Sequence, residues 1–177
     1  IFFLMNEKKG NIEGYIGGSG VGSKRTITYD LNDKLKVINN SAPSYYVESA
    51  NTTYSGKGAG IHFYFGDTMT LEANSTINVN MNGAIIQNNK AIGEESNGGG
   101  IYFENISLPS KNYTFNIKLS HGTVSENTAA KGGGIYVSQG NVSSNSVEGK
   151  TLTVSDNTSG AGAGLYTYAN DACHRDV

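Results

Sequence analysis

Hydrophobic and polar residues alternate along much of the chain. In Thr76-Ile77-Asn78-Val79-Asn80-Met81 and in Thr114-Phe115-Asn116-Ile117-Lys118-Leu119 every second side chain is apolar. That is the period of a strand with one buried face. Thr151-Leu152-Thr153-Val154 follows the same rule. No window carries apolar residues at the spacing of an amphipathic helix. The pattern predicts short strands, about three to each repeating unit, separated by polar turns containing Gly, Asn and Ser.

The turns repeat as well. A Gly-x-Gly-aliphatic element occurs five times, at Gly18 to Val21, Gly58 to Ile61, Gly98 to Ile101, Gly132 to Ile135 and Gly162 to Leu165. Between successive copies lies an aliphatic-x-x-Asn element: Val37 to Asn40, Ile86 to Asn89, Val124 to Asn127 and Val154 to Asn157. Strict alternation of nine elements is not what glycine-rich composition yields by chance. A unit of this size cannot bury its apolar face alone and must stack on its neighbours. The expected fold is therefore all-β: a right-handed parallel β-helix of about four to five coils with irregular turns, since parallel crossovers are overwhelmingly right-handed. The expected organisation is an N-terminal flank or cap over residues 1–13, β-helix repeats over 14–168, and a C-terminal tail over 169–177.

Stacking turns equivalent residues into columns about 4.8 Å apart. Val21, Ile61, Ile101, Ile135 and Leu165 form a column assigned to the core. The glycines just before it, Gly60, Gly100, Gly134 and Gly164 among them, are expected at corners with positive φ. Asn40, Asn89, Asn127 and Asn157 form a structural column whose amides bond to one another and to turn backbone. One residue after the aliphatic column come His62, Tyr102, Tyr136 and Tyr166. Alternation points them away from the core, so the three tyrosines are the candidate binding face. Asn88, Glu126 and Asp156 precede the Asn column; they read as solvated charges before they read as a Ca²⁺ site or an acid/base pair.

The paired elements resemble the Gly-Gly-Ala-Ile and Phe-x-x-Asn repeats of polymorphic outer membrane proteins. More broadly they are similar to adhesin-like proteins built on parallel β-helices. The chain keeps the glycines and the Asn, replaces Ala by Gly, and has Val37, Ile86, Val124 or Val154 in place of Phe. The resemblance covers roughly residues 14–168 and implies an extracellular or cell-surface protein.

Composition narrows the function classes. Charged residues make up 16%, the formal net charge is −2 and no basic run exceeds Lys24-Arg25, so a nucleic-acid footprint is not expected. Cys173 stands alone, which excludes an internal disulfide and a Cys-based zinc site. No apolar run reaches the roughly 18 residues of a transmembrane helix, and Ile1 to Met5 is too short for a signal-peptide core. Gly17 to Lys24 imitates a phosphate-binding loop, but Ser23 and Lys24 stand in the wrong order and strand-like residues follow. His174-Arg175-Asp176 has no other kinase element around it. Three Thr-x-Thr triplets fall outside consecutive repeats, so an ice-binding array is not formed.

No catalytic set, metal site or cofactor is expected. The leading expectation is a non-enzymatic surface or secreted repeat protein. It would bind a host-surface protein or glycan through a β-helix face, and end-to-end self-association is a further expectation. The alternatives are a carbohydrate-active β-helix enzyme, a polysaccharide lyase or glycoside hydrolase with Asp30, Asp67, Glu72, Glu126 and Asp156 as loose candidates, and a passive spacer.

Overall fold

The computed structural model describes residues 2–5, 26–65, 76–105, 114–145 and 147–168. In chain order the strands are β1 (Phe2–Met5), β2 (Thr26–Asn32), β3 (Lys36–Ile38), β4 (Ser41–Ala42), β5 (Tyr45–Val47) and β6 (Thr52–Tyr54). Next come β7 (Ile61–Phe65), β8 (Thr76–Gln87), β9 (Lys90–Ala91), β10 (Ile101–Asn105) and β11 (Thr114–Ser125). The last are β12 (Ile135–Ser138), β13 (Asn141–Ser144), β14 (Leu152–Ser155) and β15 (Leu165–Tyr168). The described residues are all-β apart from one 3-10 turn at Glu48–Ala50.

One sheet runs β1-β7-β10-β12-β15 and the other β13-β11-β8-β2, with β14 beside β11 and β3 beside β8. All pairings between described strands are parallel, except that of the short hairpin β5–β6. The chain passes back and forth between the two sheets, and each return sets a strand beside its predecessor. Ile61, Ile101, Ile135 and Leu165 lie in register across the first sheet. Each register-matched set is called a tier below: residues 26–65, 76–105, 114–138 and 141–168.

The alternation read from the sequence becomes burial. Ile77, Val79 and Met81 of β8 point inward and are buried, as are Phe115, Ile117 and Leu119 of β11. They meet Ile61, Phe63, Ile101, Phe103, Ile135 and Val137 of the facing sheet in one core. Phe63 and Phe103 stack with centroids 5.0 Å apart, and Tyr29 meets Phe63 edge-on at 5.5 Å. Each such side chain contributes roughly 1.5–3 kcal/mol by leaving water.

Two of the expected short strands are fused into longer ones. β8 and β11 each span 12 residues. Gly83 (φ 108°) and Gly122 (φ 127°) let each strand change phase without breaking its ladder. In β8 the buried positions therefore shift from 77, 79 and 81 to 84 and 86.

Leu165 departs from the expectation of burial. It pairs in register with the fully buried Ile135 yet is 41% exposed, because no described strand lies on its other side. The glycine expectation divides in two. Positive φ belongs to the first glycine of each described element, as at Gly98 (φ 60°). The second is glycine because space is lacking: a Cβ on Gly100 would stand 2.6 Å from the Gly134 carbonyl oxygen and 3.0 Å from Asn127 Nδ2. Gly60 and Gly134 are closed off in the same way by a neighbouring carbonyl and by Asn89 and Asn157, whereas the nearest neighbour of Gly164 is Val154.

The two sequence elements therefore meet in space. Asn127 Oδ1 accepts from the Asn89 backbone N–H (3.0 Å) and Asn89 Nδ2 (2.9 Å). Asn127 in turn donates from its N–H (3.0 Å) and Nδ2 (2.9 Å) to Asn157 Oδ1. Asn40 donates to Asn89 in the same manner. The second Nδ2 hydrogen of Asn89, Asn127 and Asn157 goes to the carbonyl of Val37, Ile86 and Val124 respectively. The file has a direction, with every tier donating to the next.

Candidate functional site

Outward-facing residues of the first sheet form an aromatic row. Register places His62, Tyr102, Tyr136 and Tyr166 side by side. His62 stacks on Tyr102 at 4.9 Å, Tyr102 meets Tyr136 edge-on at 5.0 Å, and Tyr136 stacks on Tyr166 at 5.0 Å. The row was expected on a solvent face, and there the structure corrects the sequence reading. Tyr102 is 5% and Tyr136 7% exposed, and only Tyr166 is half-buried. The rings cover one another, and the Gly98 and Gly132 turns lie against the Cβ atoms of Tyr102 and Tyr136.

Beside this row lies a charged cluster that sequence reasoning missed. Glu104 sits two residues after Tyr102 on the same face of β10. Its Oε1 accepts from Lys57 Nζ at 2.7 Å and its Oε2 lies 2.9 Å from His62 Nε2. The carboxylate is buried. Burial pushes its pKa up, but hydrogen bonds from His62 and Lys57, with the Lys57 charge, outweigh burial and hold the group below its ordinary 4.5. Lys57 Nζ also lies 5.6 Å from the centre of the Tyr102 ring. The Tyr102 phenol is raised first by its own burial, then by the Glu104 charge, the neighbouring Tyr136 and a hydrogen bond with Glu104. Burial, then Tyr166, Tyr168 and the more distant carboxylates, pushes Tyr136 up to about 12.

Tyr168 of β15 is 49% exposed, but the main group of exposed rings lies elsewhere. β5 and β6 form the hairpin inserted between Ala42 and Gly56, closed by the 3-10 turn and by Asn51 in the left-handed region (φ 46°). Tyr45 and Tyr46 are each 58% exposed and Tyr54 44%. Tyr45 and Tyr54, a cross-strand pair, stack at 5.2 Å with ring planes 16° apart. The Tyr46 hydroxyl donates to Asn51 Oδ1 at 2.6 Å. The signal for this site was the interruption of the repeat: the first described tier has a longer stretch between its Asn and Gly elements than any other, and three tyrosines sit within it.

The remaining candidates do not converge. Asn88, Glu126 and Asp156 share left-handed backbone with Asn39 (φ 51°, 58°, 55° and 62°), so this column marks a turn. Asn88 donates to Asn39, and Glu126 accepts from Gln87. Asp30 accepts from Asn82 on the outer face of the second sheet. That face carries another amide file, in which Asn141 donates to Asn116, Asn116 to Asn78 and Asn78 to Thr28. Among the described residues no group of three or more His, Cys, Asp or Glu could hold a metal ion, and no helix is long and apolar enough to cross a membrane. The first glycine element at Gly18, the Gly17 to Lys24 loop, Asp67, Glu72, Cys173 and His174 lie outside the described residues.

No protein-family model matches the chain, and neither a curated protein nor a solved structure matches it.

Proposed function

We propose that this chain is a right-handed parallel β-helix displayed on a cell surface or secreted, working as a non-enzymatic, adhesin-like binding module. Several features support the architecture. The chain alternates between two parallel sheets, advances one tier at each return, and carries an amide file through every described tier. Right-handed crossover is the rule for such connections. The likeness of the glycine and asparagine elements to polymorphic outer membrane protein repeats supports the adhesin reading.

One observation carries the binding role: three tyrosines stand exposed on a short hairpin projecting from an otherwise regular stack. Monomeric surfaces rarely leave aromatic clusters in water without a use. Phenol rings present a flat face to the C–H groups of a pyranose while their hydroxyls bond to its polar edge. The contact surface proposed is therefore the hairpin, with the stacked pair Tyr45 and Tyr54 on one face and Tyr46, bonded to Asn51, on the other, and the carbohydrate of a host surface as the favoured partner. Tyr102 and Tyr136 serve the packing of the sheet's outer face. The test is a glycan-array and cell-binding comparison of wild type with Tyr45→Ala/Tyr46→Ala/Tyr54→Ala. Loss of binding in a variant that melts like wild type supports the assignment; undiminished binding removes it, and no binding by the wild type favours a passive spacer.

The Glu104–His62–Lys57 cluster favours a second reading, a carbohydrate-active enzyme, because it joins an acid and two basic groups on adjacent tiers. Both carboxylate oxygens are already engaged, which is why this reading ranks second. Polysaccharide turnover that disappears in Glu104→Gln would reverse the order.

A further inference from the structure

On the outer face of the second sheet, basic side chains gather around a contact that is not satisfied. His121 of β11 continues the row of Asn32 and Asn82 there. The Gly122 N–H bonds to the Thr151 carbonyl, which brings the turn before β14, and Lys150 within it, beside the imidazole. Lys150 Nζ lies 3.4 Å from His121 Nε2, while His121 Nδ1 is buried with no hydrogen-bond partner. An ammonium has donors only. If Nε2 accepts from it, the ring hydrogen sits on Nδ1, a buried donor without an acceptor. If the hydrogen sits on Nε2, that N–H faces an ammonium. If both nitrogens carry one, two cations touch. Each protonation state leaves the pair unsatisfied. Lys118, exposed and one row away on β11, adds a second ammonium. Among the described residues no ion pair includes Lys118, His121 or Lys150, although Glu148 stands in the same turn as Lys150.

We propose that His121 and Lys150, with Lys118 beside them, form an oxyanion site whose occupant is the sulfate or carboxylate of an acidic polysaccharide. One oxyanion against Nε2 and Nζ resolves the conflict. Nε2 carries the hydrogen and donates it, Nζ donates to the same group, and the buried Nδ1 keeps only a lone pair. Bonds of this charge-assisted kind are about twice as strong as neutral ones. The surroundings select a saccharide as the carrier. The amide file of Asn141, Asn116 and Asn78 crosses the same face and ends on the exposed Thr28 hydroxyl. Amides and hydroxyls spaced about 4.8 Å apart can exchange bonds with sugar hydroxyls. Every outward residue of β2, and of β8 and β11 ahead of Gly83 and Gly122, is polar. That gives an acyl chain nothing to enter and favours a hydrated polysaccharide over a membrane. The site is built from β11 and the turn before β14, so it stands apart from the hairpin and does not depend on the hairpin's ligand.

The probes are heparin, which carries sulfates, polygalacturonate, which carries carboxylates, and neutral dextran, each titrated into the whole chain by calorimetry. Saturable binding of one or both polyanions and none of dextran is expected, and it should persist in Tyr45→Ala/Tyr46→Ala/Tyr54→Ala. Heparin alone assigns the site to sulfate, polygalacturonate alone to carboxylate, and both to either oxyanion. Lys150→Gln should weaken binding roughly tenfold, as loss of a bond to a charged group does. It should also lower the slope of log affinity against log salt by about one. His121→Asn, which extends the Asn32 and Asn82 row, should weaken binding comparably with a urea midpoint near wild type. Lys90→Gln removes the same charge from β9, which belongs to another sheet, and should bind like wild type. Absence of saturable polyanion binding, equal affinity for dextran, unchanged affinity in Lys150→Gln, an equal loss in Lys90→Gln, or loss in the hairpin variant overturns the proposal. Binding to anionic phospholipid vesicles in place of both polyanions would assign the face to a membrane and overturn it as well.

Discussion

Replacing Asn127 by Ala is the sharpest test of what holds the tiers together. The side chain is fully buried and makes bonds in three directions. Its Oδ1 serves two donors of Asn89, the backbone N–H at 3.0 Å and Nδ2 at 2.9 Å. Its Nδ2 serves the Ile86 carbonyl and Asn157 Oδ1. Alanine leaves the Asn89 backbone N–H and one Nδ2 hydrogen buried without an acceptor, while the other Nδ2 hydrogen keeps the Val37 carbonyl. Each orphaned buried group costs about 1–3 kcal/mol, so the loss is roughly 2–6 kcal/mol. That is a large share of the roughly 5–15 kcal/mol that stabilises a domain, and it corresponds to a fall in Tm on the order of 10 °C. Asn40 supplies the control. It is exposed, and its side chain gives one bond to the file and one to the Ile38 carbonyl, so Asn40→Ala should cost about 0.5–1.5 kcal/mol at most. The assay is urea unfolding followed by circular dichroism, with slopes compared to exclude a changed unfolded state. Equal midpoints for the two variants would refute the argument that the buried file carries this energy.

Two further outcomes are expected. Gly100→Ala should destabilise by about 1–3 kcal/mol or prevent folding, since the new methyl has no room, whereas Gly160→Ala, whose Cβ meets only the Ala130 oxygen at 3.4 Å, should leave the urea midpoint near wild type. The Glu104 cluster should make stability fall in acid. A carboxyl held below its ordinary 4.5 contributes stability above that value, lost as pH falls through the folded pKa. The difference in Tm between wild type and Glu104→Gln should therefore shrink from neutrality to about pH 3; a difference independent of pH would show that the carboxylate charge contributes nothing.

Much of the fold was legible because the pattern is redundant. Period-two alternation at 76–81 and 114–119 marked inward positions that the structure buries, and the spacing of the glycine and asparagine elements marked residues that come to lie in register. What escaped was the continuity of β8 and β11. A glycine after six alternating residues looks like the end of a strand, and only its partner strand reveals that the ladder continues around a phase change. The second glycine of each element was misread for a similar reason. Sequence shows that glycine is needed there but not whether a positive φ or a neighbour's carbonyl demands it.

The aromatic face shows where residue periodicity stops being informative. Alternation places Tyr102 and Tyr136 on the side away from the core, and in that sense they face outward. Exposure, however, depends on what else stacks there. In register, each tyrosine meets another aromatic ring within about 5 Å, so a regular row shields itself in proportion to its regularity. The water-facing rings are those whose column is interrupted: the hairpin tyrosines, which no other tier repeats, and Tyr168, 49% exposed, whose register partner is Ser138. Glu104 obeys the same logic in reverse. Its column contains Tyr64, Ser138 and Tyr168, so no repeat signalled it, and its partners Lys57 and His62 come from the preceding tier. In a stack of equivalent tiers, repetition specifies the scaffold and departures from it mark the positions available for chemistry. A search for function in such a chain therefore starts with the residues that the repeat does not predict.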